Sequence, residues 1–415
     1  MRFAKRVENL KPYPFARQAE VLARLKTRGV DVIRMDIGSP DGPPAAHILE
    51  ALERTAHDPG SHGYPVFGYG TPSLLAAVAD YYQARFGVTL DPQRETTALL
   101  GSKEGIFHLT QACLEPGDVA LIPDPAYPPY RIAAEWAGAE VWPLPLRKQN
   151  NFLPDWSAIP PDVLRRARLL WINYPNNPTG AVAQKEFYEA AVRFASRNEI
   201  LVCSDAAYCD VAFDGFLPPS ILQVDGAKST AVEFTSVSKT YNMAGWRLGF
   251  LSGNAEVVAA VRKVKSNIDS GIFAGITAAG EAALRGDQSW LIERNALYAR
   301  RRDLIVNGLA ALGISADSPR ASLYVWAPVP PGWTSEAFAE AVLESTGVCF
   351  SPGTFFGSEG EGYIRISLGT PTERVEEAIQ KLKEWNATPT IFPRPALRFR
   401  GSPCLPGPGR RRSGP

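Results

Sequence analysis

The sequence predicts an α/β protein, with a mostly parallel seven-stranded sheet sandwiched by helices and a smaller α+β domain after it. Between residues 97 and 252, seven short and nearly all-apolar runs alternate with stretches of helical length. After residue 290 this alternation stops, and longer helical stretches enclose two strand patterns. The chain has 415 residues, of which 45% are hydrophobic, so it is long enough for two domains with their own cores.

The elements of the sheet follow one another along the chain. The predicted strands are Thr97–Leu100, Val119–Ile122, Ala139–Leu144, Leu169–Asn173, Ile200–Ser204, Ala231–Thr235 and Leu248–Ser252. The helices predicted between them include Lys103–Cys113, Tyr130–Trp136, Gln184–Arg197 and Ala255–Asn267. Because these strands are nearly all apolar, both of their faces should be buried, as in parallel sheets.

The C-terminal third of the chain predicts a second unit. Its elements are the helix Trp290–Leu312, the strand Ser322–Ala327, the helix Ser335–Thr346, the strand Tyr363–Leu368 and the helix Glu373–Trp385. We expect a large domain over residues 46–285 and a small domain over residues 286–386, to which the N-terminal segment 1–45 also belongs. Residues 387–415 are rich in Pro, Gly and Arg and are predicted to be disordered.

Composition and charge argue against several classes of protein. Lys and Arg total 44 against 43 for Asp and Glu, and this balance predicts no nucleic-acid partner. The sequence contains no apolar run of membrane-spanning length, and its charged N-terminus lacks a signal core, so no membrane association is expected. The five cysteines are scattered without metal-ligand spacing, which predicts reduced thiols, no metal site and a cytoplasmic location.

One lysine lies between two predicted strands among hydroxyl side chains. Lys239 is surrounded by Ser236, Ser238 and Thr240, and Arg247 follows eight residues later. Burial disfavours the charged form of an amine, and the neutral amine can condense with a carbonyl group. The hydroxyls and the guanidinium would hold a phosphate on the same molecule, and pyridoxal phosphate carries both an aldehyde and a phosphate. The alternative is a loop lysine that an arginine follows by chance.

Polar residues also follow other predicted strands, at the ends where ligands bind in open α/β sheets. Asp205 closes a strand, and Tyr208 follows three positions later. An ionised carboxylate that is buried at the end of a strand needs a cation nearby, such as a protonated pyridine nitrogen. The alternative is that Asp205 caps the helix that follows the strand. Asn177 lies in the turn Tyr174–Gly180, where two prolines and a glycine fix its direction; the alternative is an ordinary turn.

Two upstream segments complete the candidate site. Ser102 and Lys103 follow Gly101 at a predicted helix start, where backbone N–H groups can bind a phosphate. This glycine pattern is weak by itself and matches neither a dinucleotide fingerprint nor a P-loop. Tyr127, in a Pro-rich segment after the next strand, can stack on an aromatic ring or simply pack within its loop.

Together and in this order, these residues resemble the pyridoxal-phosphate-dependent class I/II aminotransferases of the aspartate aminotransferase fold (fold type I), over roughly residues 36–385. The resemblance implies pyridoxal 5′-phosphate as the cofactor, linked to Lys239, which also moves the α-proton of the substrate. It implies that Asp205 contacts the ring nitrogen, that Asn177 and Tyr208 contact the phenolic oxygen, and that Tyr127 stacks on the ring. The implied phosphate ligands are Ser102, Lys103, Ser236, Ser238 and Arg247.

The resemblance also implies substrate and subunit contacts. Arg365, in a predicted strand, matches the arginine that binds the α-carboxylate of the substrate, with a structural salt bridge as the alternative. Gly38 matches the N-terminal segment that closes over the substrate. Members of the family are typically homodimers in which a tyrosine completes the partner's site. Tyr64 is the expected match, and Tyr69 is its rival because the spacing from Tyr64 to the following glycine is one residue longer than in the family pattern.

The implied reaction moves an amino group between an L-amino acid and a 2-oxo acid, with glutamate and 2-oxoglutarate as one expected pair. Three segments are most similar to the LL-diaminopimelate aminotransferase group and its aspartate/alanine relatives, namely residues 101–105, 170–180 and 266–273. Glu104 and a partner-subunit residue would then bind the distal end of LL-diaminopimelate. Carbon–sulfur lyases and aminocyclopropane-carboxylate synthases share the fold and the lysine, and a cofactor-binding regulator is a non-enzymatic alternative that usually carries a DNA-binding domain.

Overall fold

The computed structural model describes residues 2–8 and 16–386, and the predicted tail lies outside these ranges. The strands are β1 (Ile33–Arg34), β2 (Thr96–Leu99), β3 (Val119–Asp124), β4 (Glu140–Pro145), β5 (Ala167–Asn173), β6 (Leu201–Asp205), β7 (Ala231–Ser236), β8 (Gly249–Gly253), β9 (Tyr324–Pro328), β10 (Val348–Cys349), β11 (Ser351–Pro352) and β12 (Tyr363–Ser367). The helices are α1 (Lys5–Glu8), α2 (Ala16–Thr27), α3 (Ala46–Ala56), α4 (Pro72–Phe86), α5 (Ser102–Cys113), α6 (Pro129–Trp136), α7 (Pro161–Arg166), α8 (Lys185–Asn198), α9 (Ala227–Thr230), α10 (Val237–Thr240), α11 (Ala255–Lys265), α12 (Ala274–Arg285), α13 (Trp290–Ala311), α14 (Ser335–Thr346) and α15 (Thr372–Asn386).

Seven strands form the main sheet, in the order β2–β8–β7–β6–β5–β3–β4. Strand β8 is antiparallel to both β2 and β7, and the other neighbours are parallel. The predicted fold class is therefore confirmed. Each strand and helix predicted from the sequence is also present, with its ends within two residues of those observed.

The direction of the strands explains where a site can form. Strands β2, β3, β5, β6 and β7 run the same way, so their C-terminal ends lie along one edge of the sheet. The antiparallel β8 begins at that edge, and it therefore brings the residues just before Gly249 to the same place. Segments that are far apart in sequence meet there.

The main sheet is packed on both faces. Along β5, Leu169 and Trp171 belong to one hydrophobic cluster, and Leu170 and Ile172 to another. Because successive side chains of a strand point to opposite faces, the two clusters cover the two faces. Both faces of the sheet are therefore buried from solvent, as the apolar strand sequences predicted.

The C-terminal unit has its own packing. Strands β11, β12 and β9 form an antiparallel sheet, and β1 pairs with β10. Ile33 and Met35 join a separate hydrophobic cluster built largely from α13, α14, α15 and these strands. Both ends of helix α14 are set by local residues. The side chain of Thr334 caps its first turn, and Gly347, with a positive φ, ends it. The domain boundaries given above stay a prediction.

Two expectations from composition can be compared with the fold. Within residues 2–8 and 16–386, no helix is both long and apolar enough to span a membrane. Four cysteines are free thiols, namely Cys113, Cys203, Cys209 and Cys349. The fifth, Cys404, lies outside the described residues.

Candidate active site

A cavity of about 290 Å³ opens at the edge of the main sheet where the strand ends converge. Tyr324 of β9 and Arg365 of β12 close it from the side of the smaller sheet. Most of the residues predicted from the sequence line this cavity, namely Gly38, Ser102, Lys103, Tyr127, Asn177, Asp205, Tyr208, Ser236, Ser238, Lys239, Arg247 and Arg365. The structure thus gathers side chains from more than 300 residues of sequence around one small volume.

Lys239 lies in the one-turn helix α10 directly after β7. Its Nζ donates a hydrogen bond to the carbonyl oxygen of Gly38, 2.5 Å away. Burial lowers the pKa of this amine to about 8, and the cations Arg365 and Arg247 lower it in the same direction. A sizeable fraction of the amine is neutral near pH 7 to 8, so Lys239 can attack a carbonyl carbon. A loop lysine in open solvent would not have this environment.

Donors and cations converge at the end of the cavity next to β8. Helix α5 begins at Ser102, and its first backbone N–H groups lack partners within the helix. A Cβ on Gly101 would lie 2.2 Å from Nη2 of Arg247, so the guanidinium lies against this helix start. Partial burial lowers the pKa of Lys103, and the charge of Arg247 lowers it further. Two neighbouring cations at a helix N-terminus fit a phosphate dianion.

Asp205 ends β6 as a buried carboxyl group. Burial raises its pKa to about 6, although the hydroxyl of Tyr130 donates a hydrogen bond of 2.6 Å to its Oδ2. A turn rather than a helix follows Asp205, so the helix-cap alternative is wrong. A cation such as a protonated ring nitrogen would stabilise the ionised form of this group.

Arg365 is buried between two aromatic rings, Tyr324 at 4.2 Å and Phe356 at 4.5 Å from its Cζ. It donates hydrogen bonds to Oδ1 of Asn177 (2.8 Å) and to the carbonyl oxygen of Asp36 (2.7 Å). Neither partner is a carboxylate, and within residues 2–8 and 16–386 Arg365 forms no salt bridge, so the structural salt bridge considered above is not found there. Its buried Nε has no hydrogen-bond partner in the part of the chain that the structure describes. This donor fits a ligand carboxylate.

The structure adds three site residues that the sequence analysis missed. Tyr130 bonds Asp205, Tyr324 lies against both Tyr208 and Arg365, and Phe356 covers Arg365. Tyr130 follows Tyr127 by one helical turn in the same Pro-rich segment, a spacing that could have indicated it. No such spacing indicates Phe356, because it lies in a short 3₁₀-helix, Gly353–Phe356, that reaches the site only through tertiary packing.

Tyr64 and its rival Tyr69 have different environments. The side chain of Tyr64 is 89% exposed. The ring of Tyr69 packs under the guanidinium of Arg262 of the same chain, 4.3 Å away. Tyr64 is therefore accessible to another molecule, whereas Tyr69 is engaged within its own subunit.

The hypothesis that Glu104 binds the distal end of a substrate is wrong. Its Oε1 accepts a 2.8 Å hydrogen bond from Nζ of Lys265, and its Oε2 accepts one from the backbone N–H of Leu100. Lys265 is almost fully buried and also pairs with Asp269. Glu104, His108 and Asp269 lie close enough to hold a metal ion, but the ammonium of Lys265 already supplies the cation there.

Comparison with known proteins gives consistent results. The model of the family "aminotransferase class I and II" matches residues 30–382. An LL-diaminopimelate aminotransferase of Dehalococcoides mccartyi is 50% identical over 387 residues, covering 93% of this chain and all of that protein. Another, of Desulforudis audaxviator, is 52% identical over 380 residues, covering 92% of this chain and 97% of its own. The solved structure of BacF from Bacillus subtilis without ligand has a TM-score of 0.90 at 36% identity, covering 93% of this chain and 98% of BacF.

Proposed function

The chain belongs to the class I and II aminotransferases and is a transaminase, and we propose that it carries pyridoxal 5′-phosphate on Lys239 and uses LL-diaminopimelate as its amino donor. The observation that supports the cofactor best is the amine of Lys239, with its pKa lowered to about 8, in the same cavity as an anion site and the carboxyl group of Asp205. These groups match the aldehyde, the phosphate and the ring nitrogen of that cofactor.

The residues present fit the cofactor, and each would have a defined contact. Asp205 would pair with the ring nitrogen, Asn177 and Tyr208 would donate to the phenolic oxygen, and Tyr127 would stack on the ring. The phosphate would be held by Ser102, Lys103, Ser236, Ser238 and Arg247. When bound, the cofactor supplies an aldehyde carbon that bonds to amines and a ring that withdraws electrons from the substrate α-carbon.

The protein's own residues bind the substrate and move its proton. Arg365 binds the α-carboxylate through its fork of N–H donors, and Tyr324 and Phe356 hold the guanidinium plane in place. With the substrate bound, Nζ of Lys239 would take the proton from the α-carbon of the substrate and deliver it to the former aldehyde carbon of the cofactor. The lowered pKa suits this task, because a base works best when its pKa is close to the working pH.

We also propose a homodimer in which Tyr64 completes the partner's site. Tyr64, Val66 and Phe67 are exposed in one segment, and Ile268 and Phe273 are exposed in another. The two segments touch, because a Cβ on Gly271 would lie 2.8 Å from Cα of Gly68. A second copy of the chain would cover this apolar surface.

The proposed donor is supported by curated relatives such as the LL-diaminopimelate aminotransferases of Dehalococcoides mccartyi and Desulforudis audaxviator, which are 50% and 52% identical over nearly their whole length. The acceptor would be 2-oxoglutarate, and we propose a cytoplasmic enzyme because four described cysteines are free thiols. Since Glu104 is engaged by Lys265, the distal end of the substrate would be bound by other groups, including the partner's. The comparisons do not favour the lyase alternative.

A panel of amino donors tests the proposal under single-turnover conditions. Purified enzyme should show the visible absorbance band of a covalently bound cofactor, and Lys239→Ala should lack it. Adding LL-diaminopimelate should remove the band, and 2-oxoglutarate should restore it. Loss of the band with alanine or aspartate but not with LL-diaminopimelate would refute the proposed donor and leave the proposed cofactor and reaction standing. Release of pyruvate and ammonia without consumption of a 2-oxo acid would instead indicate a lyase.

A further inference from the structure

Tyr324 forms a second connection, besides Asn177, between Arg365 and the residues that would contact the phenolic oxygen of the cofactor. Its hydroxyl oxygen lies 2.8 Å from that of Tyr208, and both side chains are buried. Its ring lies 4.2 Å from Cζ of Arg365. We propose that Tyr324 is a positioning residue that links the substrate-binding Arg365 to Tyr208, and that it sets how strongly Tyr208 donates to the phenolic oxygen of the cofactor.

The direction of the hydrogen bond follows from counting protons. Each phenol has one proton to donate. Under the proposed function, on which this inference rests, Tyr208 gives its proton to the cofactor, so its oxygen must accept the proton of Tyr324. A hydroxyl that accepts a hydrogen bond becomes a stronger donor itself. Loss of the Tyr324 hydroxyl should therefore weaken the contact between Tyr208 and the cofactor.

Arg365 makes this pair sensitive to the substrate. A guanidinium over a phenol ring withdraws electron density and strengthens the phenol O–H as a donor. A carboxylate bound to Arg365 offsets part of that charge, so substrate binding should weaken the hydrogen bond that Tyr324 donates to Tyr208. The hydroxyl is also confined by the N-terminal segment, because a Cβ on Gly38 would lie 1.8 Å from it.

The other groups around the pair are the same in a variant that lacks this hydroxyl. The titratable residues that line the cavity with Tyr208 and Tyr324 are Lys103, Tyr127, Tyr130, Asp205, Lys239, Arg247 and Arg365. Tyr324→Phe leaves all of them in place and keeps the ring beneath Arg365. A changed pH titration of the bound cofactor would therefore report the missing hydroxyl.

The test is a pH titration of the visible band in the loaded wild type, Tyr324→Phe, Tyr208→Phe and the double variant. Donors to the phenolic oxygen stabilise the deprotonated form of the covalent link, so Tyr324→Phe should move the midpoint upward by about half a pH unit to one unit, the size of one net hydrogen bond. Tyr208→Phe should move it upward at least as far. In the Tyr208→Phe background, Tyr324→Phe should add nothing, because its effect passes through Tyr208.

Tyr188→Phe is the matched control, since its hydroxyl lies in the core, 3.4 Å from the Tyr174 carbonyl oxygen. It should leave the midpoint unchanged. An unchanged midpoint in Tyr324→Phe, or equal shifts in both backgrounds, would overturn the inference. Thermal melting checks the fold, and Tyr324→Met, which also lacks the hydroxyl, should give the same direction if the Phe variant does not fold. A wild type without the band, or a band that persists in Lys239→Ala, would refute the proposed function instead.

Discussion

Burial is the main cause of the pKa shifts of two residues in the cavity. Burial lowers the pKa of Lys239 to about 8 and raises that of Asp205 to about 6, so it favours the neutral form of both groups. For Lys239 the neutral form is the reactive one. For Asp205 the ionised form is the useful one, and a cationic ring nitrogen would restore it. Under the proposed function, burial would therefore make Lys239 reactive and make Asp205 a partner for the cationic ring nitrogen of the cofactor.

Asp205→Asn should make the cofactor-free protein more stable at high pH. The raised pKa of Asp205 contributes stability that is complete below about pH 4 and is lost as the pH rises through about 6. The cofactor-free Asp205→Asn variant has no carboxyl group to ionise there, so it should not lose stability as the pH rises. Its free energy of unfolding should exceed that of the wild type by up to about 3 kcal/mol at pH 8, with little difference at pH 4. Urea unfolding at both pH values measures it.

The control for this prediction is Asp317→Asn, an exposed carboxylate paired with Lys148, which should show no such dependence on pH. With the cofactor bound, Asp205→Asn should instead lose most of its activity, because the ring nitrogen loses its charged partner. Equal stability differences at pH 4 and pH 8 would contradict the role of burial.

At the scale of elements, the proposed anion site is formed by the start of α5 and by the segment between β7 and β8, which contains α10 and Arg247. Gly101, with a φ of +81°, turns the chain from β2 into α5. Arg247 occupies the place where a side chain at 101 would be. The close approach of the guanidinium to the helix N-terminus therefore depends on glycine at this position.

Gly101→Ala should weaken the binding of the cofactor by about tenfold or more, the equivalent of one lost charged hydrogen bond, because the new methyl group displaces Arg247. Gly87→Ala is the matched control. Its φ is also positive (+68°), but its ψ of 21° lies in the left-handed helical region, whereas that of Gly101 is 157°, and no atom lies within 4 Å of the new Cβ. Gly87→Ala should lose about 1 kcal/mol of stability and Gly101→Ala more than that, and Gly101→Ala alone should lose affinity, measured by absorbance titration of the cofactor-free proteins. Equal affinities would contradict the proposed anion site.

At the scale of the whole molecule, one of the predicted site residues does not line the cavity of its own chain. The other predicted residues all line it, whereas the side chain of Tyr64 is 89% exposed. An exposed tyrosine next to other exposed apolar side chains is better explained by a subunit contact than by contact with water. The dimer would then be part of the catalytic unit.

Mixed dimers can test this arrangement. Lys239→Ala and Tyr64→Ala should each have little activity alone. After subunit exchange, a dimer with one chain of each kind has one site with both residues intact, so a random mixture should recover about a quarter of the wild-type activity. The same experiment with Tyr69→Ala in place of Tyr64→Ala should recover no activity on subunit exchange, because Tyr69 is engaged within its own subunit. No recovery with Tyr64→Ala would mean that this residue does not act in the partner's site.

Much of the fold and of the site could be predicted from the sequence, because the signals are local. Apolar runs mark the strands, and the polar residues directly after them lie at one edge of a parallel sheet. Asp205, Asn177 and Lys239 were found in this way. Tyr324 and Phe356 were not, because their contact with Arg365 depends on how the smaller sheet packs against the larger one.

The sequence by itself determined the fold class, the strand order along the chain and the chemistry of the residues at the strand ends, since these depend on short-range periodicity and on residue type. The tertiary structure decided which polar side chains are available. Glu104 looked free for a substrate, but Lys265, 161 positions away, pairs with it. Tyr64 and Tyr69 looked alike, but Arg262 engages only the second. Pairing between distant side chains follows from packing, and a local pattern carries no record of it.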